Sequence, residues 1–203
     1  DGLDSAQSIG LKAAERTAAR LNPRSLKTGQ YPVLFTPELA RGLIGAFLGA
    51  ISGSTLYRQS SFLQDSIGRR IFPEWLDLYE NPHIARGFRS AYFDAEGVAT
   101  SASAIVSAGV NQRYLLGSYS ARKLGLQSTG NAGGVHNLSA SANAGDLQSL
   151  IKSMGTGLLV TELMGQGVNT LTGDYSRGAA GFWIDNGEIQ YAVDELTIAG
   201  NLA

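Results

Sequence analysis

The residues best equipped for chemistry sit in one short run near the end of the chain. From Gly165 to Arg177 the sequence reads GQGVNTLTGDYSR, so an acid (Asp174), a phenol (Tyr175), a hydroxyl (Ser176) and a guanidinium (Arg177) occupy four consecutive positions. Two roles are open to Arg177. It can pair with an acid such as Asp174, or its planar fork can clamp a carboxylate or peptide group. Glu162 and the His136-Asn137 pair are further candidates for binding or interface contacts. A Ser/His/Asp triad can be drawn on paper from Ser176, His136 and Asp174, but no G-x-S-x-G elbow marks a nucleophile. Glu162 and Asp174 could make a carboxylate pair, again without supporting spacing.

Metal chemistry finds little support. A zincin needs two histidines one helical turn apart with a glutamate base. Here the two histidines, His83 and His136, are widely separated, and neither is followed by glutamate. A mixed site with Asp174 or Glu162 lacks ligand spacing. There is no cysteine, which excludes disulfides, thiol catalysis and thiolate metal sites and is consistent with a reducing compartment. The expectation is a chain without a stoichiometric transition metal. A second glycine-rich segment, Gln127 to Ala144, could cradle an anion on backbone N–H groups. It has neither a P-loop ending nor G-x-G-x-x-G after a strand.

The bulk numbers set limits on the elements that must position these groups. The chain has 203 residues, 43% hydrophobic and 16% charged, enough for a real core. Its 26 glycines have no fixed period and suit tight turns and close packing. A net charge of −1 favours neither nucleic acid nor an anionic membrane as partner. The longest apolar-rich stretch, Gly42–Ile51, is short of the ~20 residues a membrane span requires. The chain opens at Asp1 and passes directly into a helix pattern, which suggests a fragment of a longer protein.

Taken in order, Ser5–Leu21 reads as a helix ended by Asn22-Pro23. Tyr31–Phe35 is a short edge strand interrupted by Pro32. Thr36-Pro37-Glu38 starts a helix that runs to about Ile51. Its glycine and alanine positions make a thin face suited to close packing. Ser54–Ile67 reads as a further helix with Leu56, Phe62, Leu63 and Ile67 as core candidates. From Trp75 the period changes to alternation, as in a half-buried strand. Asp94–Gly97 is a turn, and Val98–Val106 and Val110–Leu116 read as a hairpin. Short helices follow over Ser118–Leu124 and Asp146–Met154. Leu158–Leu163 is a buried strand, and Gly178–Ile184 and Glu188–Val193 flank Asn186-Gly187, the strongest short-range hairpin signal. The stretch between these strands, Gly165 to Arg177, reads as a long loop. The order predicts an α+β fold: N-terminal helices followed by an antiparallel-rich sheet with hairpins.

Four segments carry a resemblance: FDAEGVAT (93–100), YSARKLGLQSTGNAGGVHNL (119–138), GLLVTELMGQGVNTLTGDYSRGAAGFW (157–183) and NGEIQYAVDELTIAGNL (186–202). They resemble the C-terminal portion of the TldD/PmbA family, and within it the PmbA (TldE) branch. The resemblance implies a single C-terminal domain over residues 1–203, with the family's N-terminal domain absent. It implies a cytoplasmic two-subunit protease that acts on unfolded peptides. One subunit, TldD-like, has an H-E-x-x-x-H zinc motif; the other, PmbA/TldE-like, lacks it. Zinc is then expected only in the partner, and the partners it implies for this chain are the TldD-like subunit and an unfolded peptide, with self-association as a further option. The family is also linked to microcin maturation, antitoxin turnover and modulation of DNA gyrase. Under that reading His136, Asn137, Glu162, Asp174, Tyr175 and Arg177 are peptide-binding or interface candidates rather than catalytic groups. Two alternatives stand beside it: a stand-alone hydrolase with a motif-free site around His136 and Asp174, and a regulatory protein that binds gyrase.

Overall fold

The computed structural model describes residues 4–142 and 145–203. Asn143 and Ala144, which end the second glycine-rich segment, lie outside the described residues. In chain order the elements are α1 (Ala6–Ala18), β1 (Val33–Phe35), α2 (Pro37–Ala50), α3 (Gly53–Tyr57), β2 (Leu78–Glu80), β3 (Ser103–Ser107) and β4 (Val110–Asn111). They continue with α4 (Ser118–Leu124), β5 (Leu138–Ala140), α5 (Leu147–Met154), β6 (Gly157–Met164), β7 (Asp174–Asp185) and β8 (Glu188–Asn201). This is the expected α+β arrangement, with helices first and antiparallel-rich sheets after. None of the helices among the described residues is long and apolar enough to cross a membrane.

The chain divides into two compact units. One comprises Asp1–Gly42, Ala144–Gly167 and Ser176–Gly200; the other comprises Leu43–Asn143, Val168–Tyr175 and Asn201–Ala203.

The first unit is built on a four-stranded sheet in the order β1-β6-β7-β8. β6 and β7 are antiparallel, whereas β1 runs parallel to β6 with Val33 opposite Leu158. The four buried residues that open β6, Gly157 to Val160, form a continuous apolar run because both faces of the sheet are covered. One face carries Leu158, Val160, Ala179 and Val193. The other carries Leu159 and Ile184, over which α5 lays Ile151. Asp146 starts α5 by accepting a hydrogen bond from the Ser149 N–H at 2.9 Å. The β7–β8 turn is the one its sequence dictates: Asn186 and Gly187 have φ of 52° and 74°, the left-handed pair a type I′ turn needs.

The second unit has its own sheet, ordered β4-β3-β2-β5 and antiparallel throughout. Leu78, Ile105 and Val106 project from it into a core completed by Phe47, Ile51, Leu56 and Leu116. Helices α3 and α4 approach so closely that a Cβ on Gly53 would fall 2.2 Å from Ser120 Oγ.

Several elements are shorter than the sequence pattern suggests. The helix expected over 54–67 is only α3. Gln59 and Asp65 take φ of 54° and 53°, which ends helical propagation, and Ile67 is exposed while Leu56 and Leu63 are buried. The hairpin expected over 98–116 contracts to β3 and β4, because the flanking backbone is engaged elsewhere. The Leu115 N–H donates to Ile51 O at 3.1 Å and its carbonyl accepts from the Gly53 N–H at 2.8 Å. The thin face of α2 packs only in part: Ala50 is fully buried in the core, whereas a Cβ added at Gly42, Gly45 or Gly49 would meet nothing within 4 Å.

Candidate functional site

The run from Gly165 to Arg177 is not one long loop. β7 already begins at Asp174, and the turn before it is closed by its own backbone: Ser176 N–H to Gly167 O at 2.7 Å, Asn169 N–H to Asp174 O at 2.8 Å, Gly173 N–H to Asn169 O at 2.8 Å. Only glycine fits at 167, where a Cβ would sit 1.5 Å from Ser176 O. Asp174 accepts from Thr172 Oγ1 at 2.6 Å and from Asn201 Nδ2 at 2.9 Å. Those hydrogen bonds, Thr172's first, hold its carboxyl below the ordinary range. Tyr175 is buried at 7% exposure, which removes its ring from any recognition surface. Glu162 pairs with Arg20, so each of the two carboxylates is engaged by its own neighbours. Arg177 forms no ion pair among the described residues, and its Nε is buried without a hydrogen-bond partner.

His136 is placed in a setting no spacing rule would find. It donates its backbone N–H to Glu80 Oε1 at 2.6 Å, and its Nδ1 lies 3.0 Å from the same oxygen. Glu80 is 2% exposed at the end of β2, where alternation turns Leu78 and Glu80 inward and Tyr79 outward. Its charge is met by the Arg113 guanidinium and by Asn131 Nδ2, at 2.9 and 3.1 Å from its two oxygens. Arg113 in turn donates to Asn131 Oδ1 at 2.7 Å. A buried carboxylate is tolerable only with such pairing. Asp174 takes no part in this network, so the paper triad through His136 and Asp174 does not form.

Asn137 has a different task. It adopts φ of 37°, a conformation asparagine tolerates better than most residues. Its side chain accepts from the Arg89 N–H at 2.9 Å and donates to Ser90 Oγ at 2.7 Å and Asn81 O at 3.0 Å. These bonds fix the loop from Asn81 to Phe93, aided by Ala91 N–H to Pro82 O at 3.0 Å and Thr100 Oγ1 to Ala91 O at 2.5 Å. The same loop displays Phe88 fully to solvent, Tyr92 at 81% and Phe93 at 65% exposure. His83 stacks on Tyr92 with ring centroids 5.5 Å apart, Arg86 and Arg89 belong to the same loop, and no acid occurs in the sequence between Asn81 and Phe93.

The turn that follows is anchored from within. Asp94 is buried and accepts from the backbone N–H groups of Glu96, Val98 and Ala132 at 2.9, 3.0 and 2.9 Å. Burial alone would raise its pKa, but these three donors and nearby His136 outweigh it and hold the carboxyl below the ordinary range. Glu96 accepts from the Ser118 N–H at 2.6 Å at the start of α4. It borders a cleft of about 540 Å³ with Tyr57, Tyr119, Gly133 and Gly134, over the open glycines of α2. The second glycine-rich segment therefore wraps a carboxylate of its own chain, through Ala132, and lines a cleft. Sequence reasoning missed Glu80, Arg113 and Asn131. The one available signal was a charge at an inward position of an alternating strand. Among the described residues no three His, Asp or Glu side chains converge as a metal site requires.

Comparison with known proteins follows the geometry closely. Residues 28–203 match the family described as the PmbA/TldA metallopeptidase C-terminal domain. The chain is 54% identical over 200 residues to the metalloprotease PmbA of Escherichia coli O157:H7, covering 98% of this chain and 44% of that protein. It is 52% identical over 203 residues to the PmbA homolog of Haemophilus influenzae, covering 100% of this chain and 45% of that protein. The chain thus spans less than half the length of these relatives. Among solved structures, a candidate modulator of DNA gyrase from Bacteroides thetaiotaomicron superposes with a TM-score of 0.92 at 33% identity, over 98% of this chain and 45% of that one. TldE from Thermococcus kodakarensis superposes with a TM-score of 0.82 at 27% identity, over 97% and 47%. With its fold and nearly its whole length matched, the chain belongs to the PmbA/TldA metallopeptidase family, within that family's C-terminal domain.

Proposed function

We propose that the chain is the C-terminal part of a PmbA/TldE-type subunit that pairs with a TldD-like metallopeptidase in the cytoplasm. The pair degrades or processes unfolded peptides, microcin precursors and antitoxins among them, and the zinc belongs to the TldD-like subunit. Among the described residues the two histidines do not come together with other ligands as a zinc site requires. His136 Nδ1 is committed to Glu80, His83 Nε2 lies 3.2 Å from Thr100 Oγ1, and no third ligand joins either among the described residues. No catalytic step is assigned to this chain.

One observation carries the pairing: the loop held by Asn137 presents Phe88, Tyr92 and Phe93 to solvent on a backbone that is already fixed. Exposed aromatic side chains on a pre-ordered frame suit an interface, because little conformational entropy remains to be lost on docking. The basic residues of the loop suit an acidic counterpart. Assembly with the TldD-like subunit and peptide cleavage by the mixture test the reading. Phe88→Ser in the full-length protein should leave the fold intact and weaken assembly at least tenfold, about 1.4 kcal/mol. Unchanged assembly and cleavage in that variant would remove this loop from the interface.

A further inference from the structure

We propose that the cleft beside Glu96, within the second unit, is a binding site for a primary ammonium group carried on an apolar stem. The cleft holds about 540 Å³, the size of a small-ligand pocket. Its floor is bare because α2 contributes Gly45 and Gly49 there, and a Cβ added at either would meet nothing within 4 Å. Leu48, Leu115 and Val135 add apolar surface. Glu96 is the one formally charged residue of the lining among the described residues. Its Oε2 accepts from the Ser118 N–H at 2.6 Å, while Oε1 takes part in no hydrogen bond or ion pair among the described residues. Both oxygens stand over Gly117: a Cβ there would lie 3.3 Å from Oε1 and 3.4 Å from Oε2, and 3.2 Å from the Cβ of Ala132, which also lines the cleft. The backbone places the carboxylate there, since the Glu96 N–H donates to Asp94 Oδ1 at 2.9 Å and the Ala95 N–H donates to Ala132 O at 3.0 Å.

The chemistry of the cleft defines its ligand. A carboxylate with a vacant oxygen suits a cationic N–H donor, and such charge-assisted bonds are the stronger kind. One carboxylate, with no second acid in the lining, does not assemble the several oxygen ligands that a divalent cation takes. The aromatic rings favour the same sign of charge. Tyr57 and Tyr119 line the cleft edge to face, with centroids 5.6 Å apart and planes at 82°. Each already draws a cation of the chain: Arg58 lies 5.5 Å from the centroid of Tyr57 and Lys123 5.7 Å from that of Tyr119. Neither of these cations forms an ion pair with Glu96 among the described residues. Glu96, Arg58 and Lys123 are all exposed, so solvent screens attraction and repulsion alike, and the expected affinity is on the order of millimolar. An apolar stem suits the remaining surface, because a polar stem buried there without partners would cost free energy. Two groups of a peptide carry this chemistry, the amino terminus and the lysine side chain. The site rests on the peptide-directed reading only for that source of its ligand; binding itself is a property of this chain.

The test uses the 203-residue chain and small probes of three kinds. Leucine N-methylamide carries only an α-ammonium, Nα-acetyl-lysine N-methylamide only a side-chain ammonium, and N-acetyl-leucine N-methylamide neither. In amide NMR titrations at least one ammonium probe should shift the amides of Glu96, Gly117, Tyr119 and Gly133, with the uncharged probe about tenfold weaker or inert. The tighter of the two ammonium probes identifies the source of the ligand, and equal binding means that the site accepts both. The leucine probe should release above a pH of about 8, where its amine loses its proton, and the lysine probe only above about 10. Glu96→Gln keeps an acceptor for the Ser118 N–H and should weaken binding about tenfold. Gly49→Leu fills the floor of the cleft and should abolish binding at an unchanged or higher melting temperature, since leucine is the better helix former. No shift at these residues with either ammonium probe at about 20 mM overturns the proposal. So does equal binding of the uncharged probe, or undiminished binding by Glu96→Gln. Assembly with a TldD-like subunit enters none of these readouts, so failure of the pairing and failure of this site are distinguishable.

Discussion

One oxygen of Glu80 holds both the ring and the main chain of His136: Oε1 lies 3.0 Å from Nδ1 and 2.6 Å from the backbone nitrogen. Removing the carboxylate leaves the Arg113 guanidinium, only 16% exposed, without its counter-charge. Glu80→Ala is therefore expected to cost about 3–5 kcal/mol, as breaking a buried pair does. Denaturant unfolding checks this, and a loss below about 1 kcal/mol would mean that the network stabilises little.

Acid sensitivity should trace to Asp94. Its folded pKa is depressed, so its contribution is fully present above the unfolded carboxylate value of about 4 and is lost as pH falls through the lower folded value. In Asp94→Asn that part of the acid-induced loss should disappear, and stability at neutral pH should drop by about 1–2 kcal/mol as the three N–H groups lose a charged acceptor. Unfolding curves of both proteins from neutral pH down to about 2 decide it. Parallel pH profiles would assign the acid transition to other groups.

For Asn137→Ala the expectation is selective loosening. Hydrogen exchange should speed up from Asn81 to Phe93, with a stability loss of about 1–2 kcal/mol for three lost side-chain bonds. Assembly with a TldD-like subunit should weaken without loss of any contact residue. Unaltered exchange in the loop would show that other bonds suffice to order it.

Gly187→Val tests the hairpin. Position 187 has φ of 74°, and a Cβ there would lie 3.0 Å from Lys152 Cα. A β-branched residue should cost about 1–3 kcal/mol or more from backbone strain alone. A melting temperature equal to that of the parent would contradict the turn.

Arg177→Ala and Asp174→Ala should fold nearly normally, since Asp174 is exposed and Arg177 has no ion pair among the described residues. Weakened assembly or peptide cleavage by the full-length pair is the expected effect. Full activity in both would leave these positions a local structural role.

Local rules carried the sequence reading furthest where one short segment decides the outcome. Asn186-Gly187 demands positive φ and gets it, Asp146 caps α5, and the apolar run of β6 is buried on both faces. Failures came where backbone partners are remote. Gln112 to Leu116 looks like a strand, yet Leu115 exchanges its backbone hydrogen bonds with Ile51 and Gly53, which no local pattern reveals. The same distance hid the buried charges. Glu80, Arg113, Asn131 and His136 meet only after folding, whereas Asp174-Tyr175-Ser176-Arg177, conspicuous in sequence, alternates along a strand and so points its side chains to different sides.

The parallel pairing of Val33 with Leu158 has a kinetic consequence. During synthesis β1 emerges early but cannot be covered by β6 until the whole of Leu43–Asn143 has left the ribosome. That intervening stretch belongs to the second unit, whose sheet needs nothing from later strands. Closure of so long a loop raises the contact order of the first unit and should make it the slower folder of the two. Circular permutation that joins residues 24–42 directly to α5 should accelerate the slow phase, whereas shortening surface turns within the second unit should not.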